Sequence, residues 1–330
     1  MPSNSLDITL FERVIACWIC GGTAFVPYHR LRMDLAIYES QDPELARYRD
    51  LTLALHRCVS CGFGQPEALP TLPQFFDRMY DQRWSDDWIV SEFRNGAKDL
   101  IFKRTLEAVR KSSNGCGAGK PARFLDVGAH VGRLLFLARE QGWQCEGIEL
   151  NPKTRAYAES VTGLKVHHRN AQQLAGSGER YRVVTLIDVL EHIPRPVELL
   201  RTLHALLEEG GCLVVKVPNG RAQHLKETWK SRLVPGYRAT LADNLVHVNH
   251  FNPRALELAL RNAGFDQIRV GQGAPEEIPP VTGFRALIRN RMRPCFLGFY
   301  LLESLPSSWV SSLFLHLQAV AIKPGPHTSR

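Results

Sequence analysis

No stretch of this sequence stays apolar for the roughly 18 to 20 residues that a bilayer-spanning helix needs, so an integral membrane protein is not expected. The opening "MPSNSLDITLFERV" lacks the basic start and apolar run of a secretory leader, and no signal peptide is expected. Cysteine is scarce: eight in 330 residues are too few for a secreted disulfide scaffold. These absences together point to a reducing cytoplasm. Apolar content of 44% and charged content of 22% suit a soluble globular chain. The length allows one large domain, or a domain with a smaller module, and either can bury a core. The net charge of +8 is uneven, because positions 281–330 hold six Lys or Arg against one acid, Glu303. Such a local excess fits an anionic substrate or surface near the C-terminus better than general nucleic-acid affinity.

Four of the cysteines form two matching knuckles, "CWICGG" (Cys17, Cys20) and "CVSCGFG" (Cys58, Cys61). Two thiolates three positions apart can turn onto one ion, and four sulfur donors in two such pairs favour tetrahedral zinc. Disulfides or unrelated buried thiols are the competing readings. A closed four-cysteine site leaves no position for water, so a metal here is structural. The 37 residues between the knuckles exceed common ribbon spacing, and a small elaboration must sit there. Cys116, Cys145, Cys212 and Cys295 lack partners at ligand spacing and read as ordinary small apolar or loop residues.

Beyond the knuckles, the pattern predicts a helix over about 91–111, with Phe93, Ala97, Leu100, Ile101, Leu106 and Val109 on one side. "SSNGCGAGKP" breaks it. From Arg123 strands and helices alternate: "RFLDVG", "GRLLFLAREQG", "WQCEGIEL", "NPKTRAYAESV", "LKVHH", "YRVVTLIDVL", "PVELLRTLHALLEEGG", "CLVVKVPN" and "NPRALELALRNAGF". The helix opening at Pro196 is expected to stop at Gly210 and Gly211. This alternation predicts a doubly wound parallel sheet covered on both faces. Its ligand crevice lies at the carboxyl ends of the strands.

The first strand–turn–helix also lacks something. A dinucleotide turn needs G-x-G-x-x-G, and counting from Gly128 the later positions are His130 and Arg133. Without the glycine that lets the backbone approach a pyrophosphate, that cofactor class is excluded. What stands is D-x-G-x-G-x-G with Asp126, Gly128 and Gly132 present and His130 in the middle; histidine tolerates positive φ better than most side chains. Glu149 ends the second strand, 21 residues after Gly128, where an acid can accept both ribose hydroxyls.

This pattern resembles the class I S-adenosylmethionine-dependent methyltransferases. The blocks "GIELNP", "RNAQQL", "DVLEHIP", "LLEEGGCLVVKVPN" and "HVNHFNPRALELALRNAGF" follow in the family's order from Arg123 onward. The resemblance implies a mostly parallel, seven-stranded Rossmann-like α/β sheet. It places Gly128 and the ring of His130 at the cofactor, Glu149 on the ribose, and Asn170 with Ala171 at the adenine. An amide oxygen at Asn170 can still accept the adenine amino group. Asp126 supports the loop, either as a turn cap or through the cofactor amino group. Asp188 closes the same crevice.

Methyl transfer is an in-line displacement that needs alignment and, for many acceptors, removal of a proton. His192 in "DVLEHIP" and His247 and His250 in "HVNHF" are the candidate bases, and the alternative for each is a hydrogen-bonded residue organising the crevice. The set Asp188, Glu191 and His192 also resembles the metal-binding motif of ubiquinone-type O-methyltransferases. An Asn-Pro-Pro-Tyr-like run after the fourth strand, the mark of adenine-N6 and cytosine-N4 methylation, is absent.

The expected organisation is a zinc module over 1–70, a helical connection over 71–122 and the methyltransferase domain over 123–330. Within it, a basic and apolar insertion at about 272–313 carries Arg285, Arg289, Arg291 and Arg293 beside "CFLGFYLLESLPSSWVSSLFLHL". It reads as a cap for an anionic or lipid-linked acceptor, as a peripheral membrane contact, or as core-covering helices with a solvated basic face. A four-cysteine module before this fold is similar to bacterial sugar- and glycan-tailoring methyltransferases, although the tyrosine-rich signature of the sugar C-methyltransferases is not matched. The favoured acceptor is a small molecule or saccharide. An RNA methyltransferase using the zinc module for RNA, or a non-catalytic cofactor-binding module, are the alternatives.

Overall fold

A computed structural model describes residues 9–39, 42–81, 85–112, 122–237, 240, 247–276 and 315–325. Most of the insertion expected at 272–313, including its four arginines, lies outside them, as do Cys116 and Cys295. The chain opens with β1 (Phe11–Arg13), β2 (Phe25–Arg32), α1 (Ala36–Glu39), a 3-10 turn (Pro43–Tyr48), β3 (Thr52–Cys58), β4 (Gly64–Pro66) and β5 (Ala68–Pro70). β2, β3 and β4 form an antiparallel sheet, and β1 pairs with β5. β2 leaves the first knuckle and β3 returns to the second, so the elaboration demanded by their spacing is a hairpin with its own core of Leu31, Leu53, Leu55, Tyr48 and Phe75.

Three helices follow, α2 (Phe75–Asp81), α3 (Asp86–Asn95) and α4 (Asp99–Ser112). The single helix expected over 91–111 is therefore two. Gly96 caps α3 at φ +59°, a left-handed conformation that glycine adopts without steric cost. α4 packs Leu106 and Val109 against the sheet, whereas Phe93 of α3 meets Phe136 and Tyr157 of the helices that follow.

The main sheet comprises β6 (Arg123–Val127), β7 (Gln144–Ile148), β8 (Val166–His167), β9 (Tyr181–Ile187), β10 (Leu207–Pro218), β11 (Asp266–Gln272) and β12 (His316–Ile322). Between them lie α5 (Arg133–Glu140), α6 (Pro152–Thr162), α7 (Ala171–Ala175), α8 (Pro196–Leu206), α9 (Gly220–Leu233) and α10 (Pro253–Asn262). The strand order is β11-β12-β10-β9-β6-β7-β8. Five strands from β10 to β8 run parallel, and β12 is antiparallel to both its neighbours. The winding reverses between β6 and β9, and this switch point opens the ligand crevice at their carboxyl ends.

Leu200, Leu203, Leu256 and Leu260 of α8 and α10 cover one face, against Leu125, Leu186 and Val215. Leu106, Val109, Leu134 and Leu135 of α4 and α5 cover the other, against Phe124, Val183 and Val214. Burial on both sides explains why β9 and β10 read as continuous apolar runs. Truncating a core leucine such as Leu203, fully buried here, to alanine costs about 2–5 kcal/mol.

α8 stops at Leu206, earlier than the glycine pair suggests. Leu207 already pairs with Tyr181, and the register then slips to Cys212 against Val183, so Gly210 and Gly211 lie in a bulge of β10. The cysteine knuckles are packed onto the same core: Cys17, Ile19, Cys58, Cys61 and Phe63 join Phe251, Leu256 and Leu260. The Phe63 and Phe251 rings lie 5.0 Å apart. Asn252 Nδ2 donates to the Cys61 carbonyl and Asn262 Nδ2 to that of Ile19. Among the described residues no helix is long and apolar enough to cross a membrane.

Candidate active site

The crevice is built around the turn after β6. Gly128, at φ +81°, has no room for a side chain, because a Cβ there would lie 2.4 Å from Val189 Cγ2. Its N–H and that of Ala129 both donate to the Ile148 carbonyl at the end of β7. His130 adopts φ +50°, as the sequence pattern requires, and its backbone N–H donates to Glu149 Oε2 at 2.8 Å. The other oxygen, Oε1, accepts from the Asn151 N–H at 2.8 Å. Glu149 is thus fixed between the turn and the start of α6. Gly132 begins α5, and a Cβ there would meet Ala158 and Thr162 of α6.

Asp126, 4% exposed, accepts from Thr185 Oγ1 at 2.7 Å. Burial drives its pKa up to about 7; the Thr185 bond works against this, and the Glu149 charge adds to it. A cleft open to solvent is lined by Asp126, Gly128 to Val131, Arg133, Ile187 and Asp188, with Glu92 of α3, Phe102 of α4 and Lys98 of the turn between them. Trp88 of α3 meets the His130 ring edge-on at 5.2 Å. The structure brings Asp126, Gly128, His130, Gly132 and Glu149 together around this turn. Asn170 is exposed, and its side-chain oxygen accepts from the Gln173 N–H as the N-cap of α7, with Ala171 buried behind it.

The second part of the site follows β9. Asp188, at φ +55°, pairs with the fully buried Lys216 of β10, whose Nζ lies 2.6 Å from Oδ1. Burial opposes the Asp188 charge, but Lys216 and Lys98 outweigh it and hold the carboxyl at about 2. Glu191 lies beside it, 1% exposed, and burial and then the Asp188 charge push its pKa well above the ordinary range. The backbone carbonyl of Glu191 accepts from the N–H groups of both Val248 and Asn249. Asn249 Nδ2 donates to the Leu190 and Ile193 carbonyls, which staples "HVNHF" to the loop after β9.

That staple brings His247 to His192, with ring centroids 4.9 Å apart. His247 Nε2 lies 3.9 Å from Glu191 Oε1, and its Nδ1 is 2.8 Å from Gln223 Nε2. Ligand atoms of Glu191, His192 and His247 fall within 4.8 Å of one another. The motif trio of Asp188, Glu191 and His192 is thus rearranged, with Asp188 committed to Lys216 and His247 in its place.

His250 goes elsewhere. It exchanges both backbone hydrogen bonds with Gly64 of β4 and its ring stands edge-on to Tyr28 at 5.6 Å. Gly64 and Gly220 leave it no slack, since a Cβ on either would lie within 2.8 Å of it. Burial, then His29 and His224, press its pKa down to about 3. The ring therefore seals the seam between the knuckle sheet and α9. Lys98, Lys216, Gln223 and Asn249 are site residues the motifs did not signal, although Lys216 and Asn249 lay inside quoted blocks.

The four knuckle cysteines converge. Cys17 and Cys61 Sγ are 3.6 Å apart and Cys20 and Cys58 Sγ 3.5 Å, and all four lie within 4.8 Å of one another. Zinc–sulfur bonds of about 2.3 Å place tetrahedral sulfurs at about 3.8 Å, so the cluster could hold zinc with small adjustment. No disulfide links them.

A protein-family model described as a methyltransferase domain matches residues 97–270. The chain is 34% identical over 103 residues to a ubiquinone biosynthesis O-methyltransferase of Cereibacter sphaeroides, covering 29% of this chain and 41% of that protein. It is 31% identical over 126 residues to the Caulobacter sp. protein of the same name, covering 36% and 50%. The chain thus spans half or less of the length of these curated relatives. It is also similar to the crystal structure of a SAM-dependent methyltransferase from Archaeoglobus fulgidus, at 18% identity and a TM-score of 0.46, over 72% of this chain and 100% of that one.

Proposed function

The chain belongs to the S-adenosylmethionine-dependent methyltransferase domain family, and from that premise we propose that it methylates a small-molecule or saccharide acceptor, a nucleotide sugar or surface glycan being favoured. The observation that carries this reading is the juxtaposition of two built sites at the strand ends: the Asp126–Glu149 turn, and the Glu191–His192–His247 cluster after β9.

In this reading the Glu149 carboxylate holds the ribose hydroxyls, and the left-handed backbone at Gly128 lets the cofactor approach closely. Asp126 receives the ammonium of the methionyl arm. S-adenosylmethionine supplies a sulfonium-activated methyl group. His192 takes the acceptor proton, and His247, anchored by Gln223, supports it. The buried cluster excludes water and sets the line of attack. Asn170 and Ala171 border the adenine, with the second lone pair of the Asn170 oxygen available. Zinc on Cys17, Cys20, Cys58 and Cys61 belongs to the same proposal as a structural ion, and His250 serves as a packing residue.

The test is transfer of labelled methyl from S-adenosylmethionine to separate nucleotide-sugar, glycan, small-molecule and RNA pools. The expected result is label in a small-molecule or saccharide pool, abolished in His192→Ala. Label confined to RNA would replace the proposal with the RNA reading. Cofactor binding with no label in any pool would leave a non-catalytic module.

A further inference from the structure

The first turn of α9 is held from two sides. Asn219 caps it, its side-chain oxygen accepting from the Arg221 N–H at 3.1 Å. The Gly220 N–H donates to the Phe251 carbonyl at 2.7 Å. Tyr28 of β2 gives its hydroxyl proton to the Gly220 carbonyl, also at 2.7 Å, and His224 stacks on the Tyr28 ring at 4.4 Å. The knuckle sheet thus fixes one side of this turn, and the segment that carries His247 fixes the other. Gln223 closes the turn, its N–H donating to the Asn219 carbonyl at 3.0 Å.

The Gln223 side chain reaches His247, with Nε2 2.8 Å from Nδ1. An amide nitrogen has only protons to give, whereas each ring nitrogen of a neutral imidazole either donates or accepts. Nδ1 accepts here, and the ring proton is left on Nε2. The opposite tautomer would set two donors head to head. Turned over, the amide would carry its N–H groups into the buried place where Oε1 now has no partner among the described residues. Buried donors are left unpaired less often than carbonyl oxygens. The other ring nitrogen agrees. His247 Nε2 faces the Glu191 carboxyl, 3.9 Å from Oε1, and Glu191 Oε2 has no partner among the described residues.

Resting on the methyl-transfer reading above, we propose that Gln223 is the positioning residue that fixes His247 as its Nε2–H tautomer. His247 then has no ring nitrogen left to take a proton, since Nδ1 is occupied by the amide and Nε2 already carries hydrogen. Of the two facing rings, with centroids 4.9 Å apart, His192 is the base and His247 a hydrogen-bond donor. The knuckle sheet, through Tyr28 and the start of α9, thereby sets the proton arrangement of the methyl-transfer site.

Nitrogen NMR spectra of the isotope-labelled, zinc-loaded full chain read the tautomer without any acceptor. At pH about 8, above the ordinary imidazole value, proton–nitrogen correlations distinguish a ring nitrogen that bears hydrogen from one that does not. His247→Asn identifies the His247 signals. In the wild type the hydrogen is expected on Nε2. Gln223→Glu, whose carboxylate can only accept, is expected to move it to Nδ1, and Gln223→Met to leave a mixture. The rate of labelled-methyl transfer should fall at least about tenfold in Gln223→Glu, with S-adenosylhomocysteine affinity within about twofold of wild type. A wild type with the hydrogen on Nδ1 overturns the proposal. So does either variant with it wholly on Nε2, or an unchanged rate in Gln223→Glu. Should Gln223→Glu fail to fold, the wild-type spectrum and Gln223→Met still decide. The expected tautomer with no label in any pool instead refutes the methyl-transfer reading, and the base assignment with it.

Discussion

The carboxylate of Glu149 accepts a hydrogen bond from the backbone N–H of His130 at 2.8 Å. The acid that ends the second strand thus holds the turn that follows the first, and the bond uses the backbone of His130 rather than its imidazole. His130→Gly should therefore preserve the donor and relax the φ of +50°, leaving cofactor affinity within about threefold, a change under about 1 kcal/mol. His130→Pro removes the N–H and forces negative φ, and should cost at least about tenfold. Titration calorimetry on both variants reads the difference.

Gly128 is the least replaceable residue of the turn. Alanine there combines φ +81° with a contact of 2.4 Å to Val189 Cγ2, an expected destabilisation of about 2–4 kcal/mol. Thermal unfolding should show it. Adding Val189→Ala should recover the part due to collision but not the part due to φ, a non-additivity that a double-mutant cycle measures.

Burial holds Asp126 at about 7 in the free protein, and Thr185 and Glu149 act in opposite directions on it. Its folded value lies above the ordinary carboxyl value, so the stability it contributes is present at low pH and fades as pH rises from about 3.8 toward 7. Cofactor binding should show the reverse sign. A ligand ammonium favours the carboxylate, so affinity should be flat above pH 7 and fall by up to about tenfold per pH unit below it. Asp126→Asn should bind more weakly and lose that slope. An unchanged slope in the variant would remove Asp126 from the cofactor site.

The knuckle cysteines should bring one zinc ion per chain, read by elemental analysis, and Cys20→Ala should lose it. Because Gly64 pairs with His250 and the Cys61 carbonyl with Asn252, removal of the ion should also raise amide exchange over 247–252. Protein free of metal as purified under reducing conditions, with those amides still protected, would contradict a zinc-supported seam.

Much of this was legible in the sequence for definite reasons. The alternation of strands and helices from Arg123 and the spacing from Gly128 to Glu149 are local signals, and both are seen in the fold. What was not legible depends on distant contacts. His250 shares "HVNHF" with His247, yet Tyr28, Gly64 and Gly220, far away in the chain, draw it into a seam. Lys216 sits in an apolar strand and looks misplaced until Asp188 faces it. The helix break at Gly96 is hidden because apolar spacing continues across it. Asn170 had a visible capping pattern with Gln173, which competes with its expected role at the adenine.

The most direct test of the account is calorimetry with S-adenosylhomocysteine on folded, zinc-loaded protein, comparing wild type with Glu149→Ala. The account predicts saturable binding to the wild type and a loss of at least about tenfold in the variant, since one carboxylate serves both the turn and the ribose. Absence of binding to the wild type, or equal affinity for the two proteins, would contradict it.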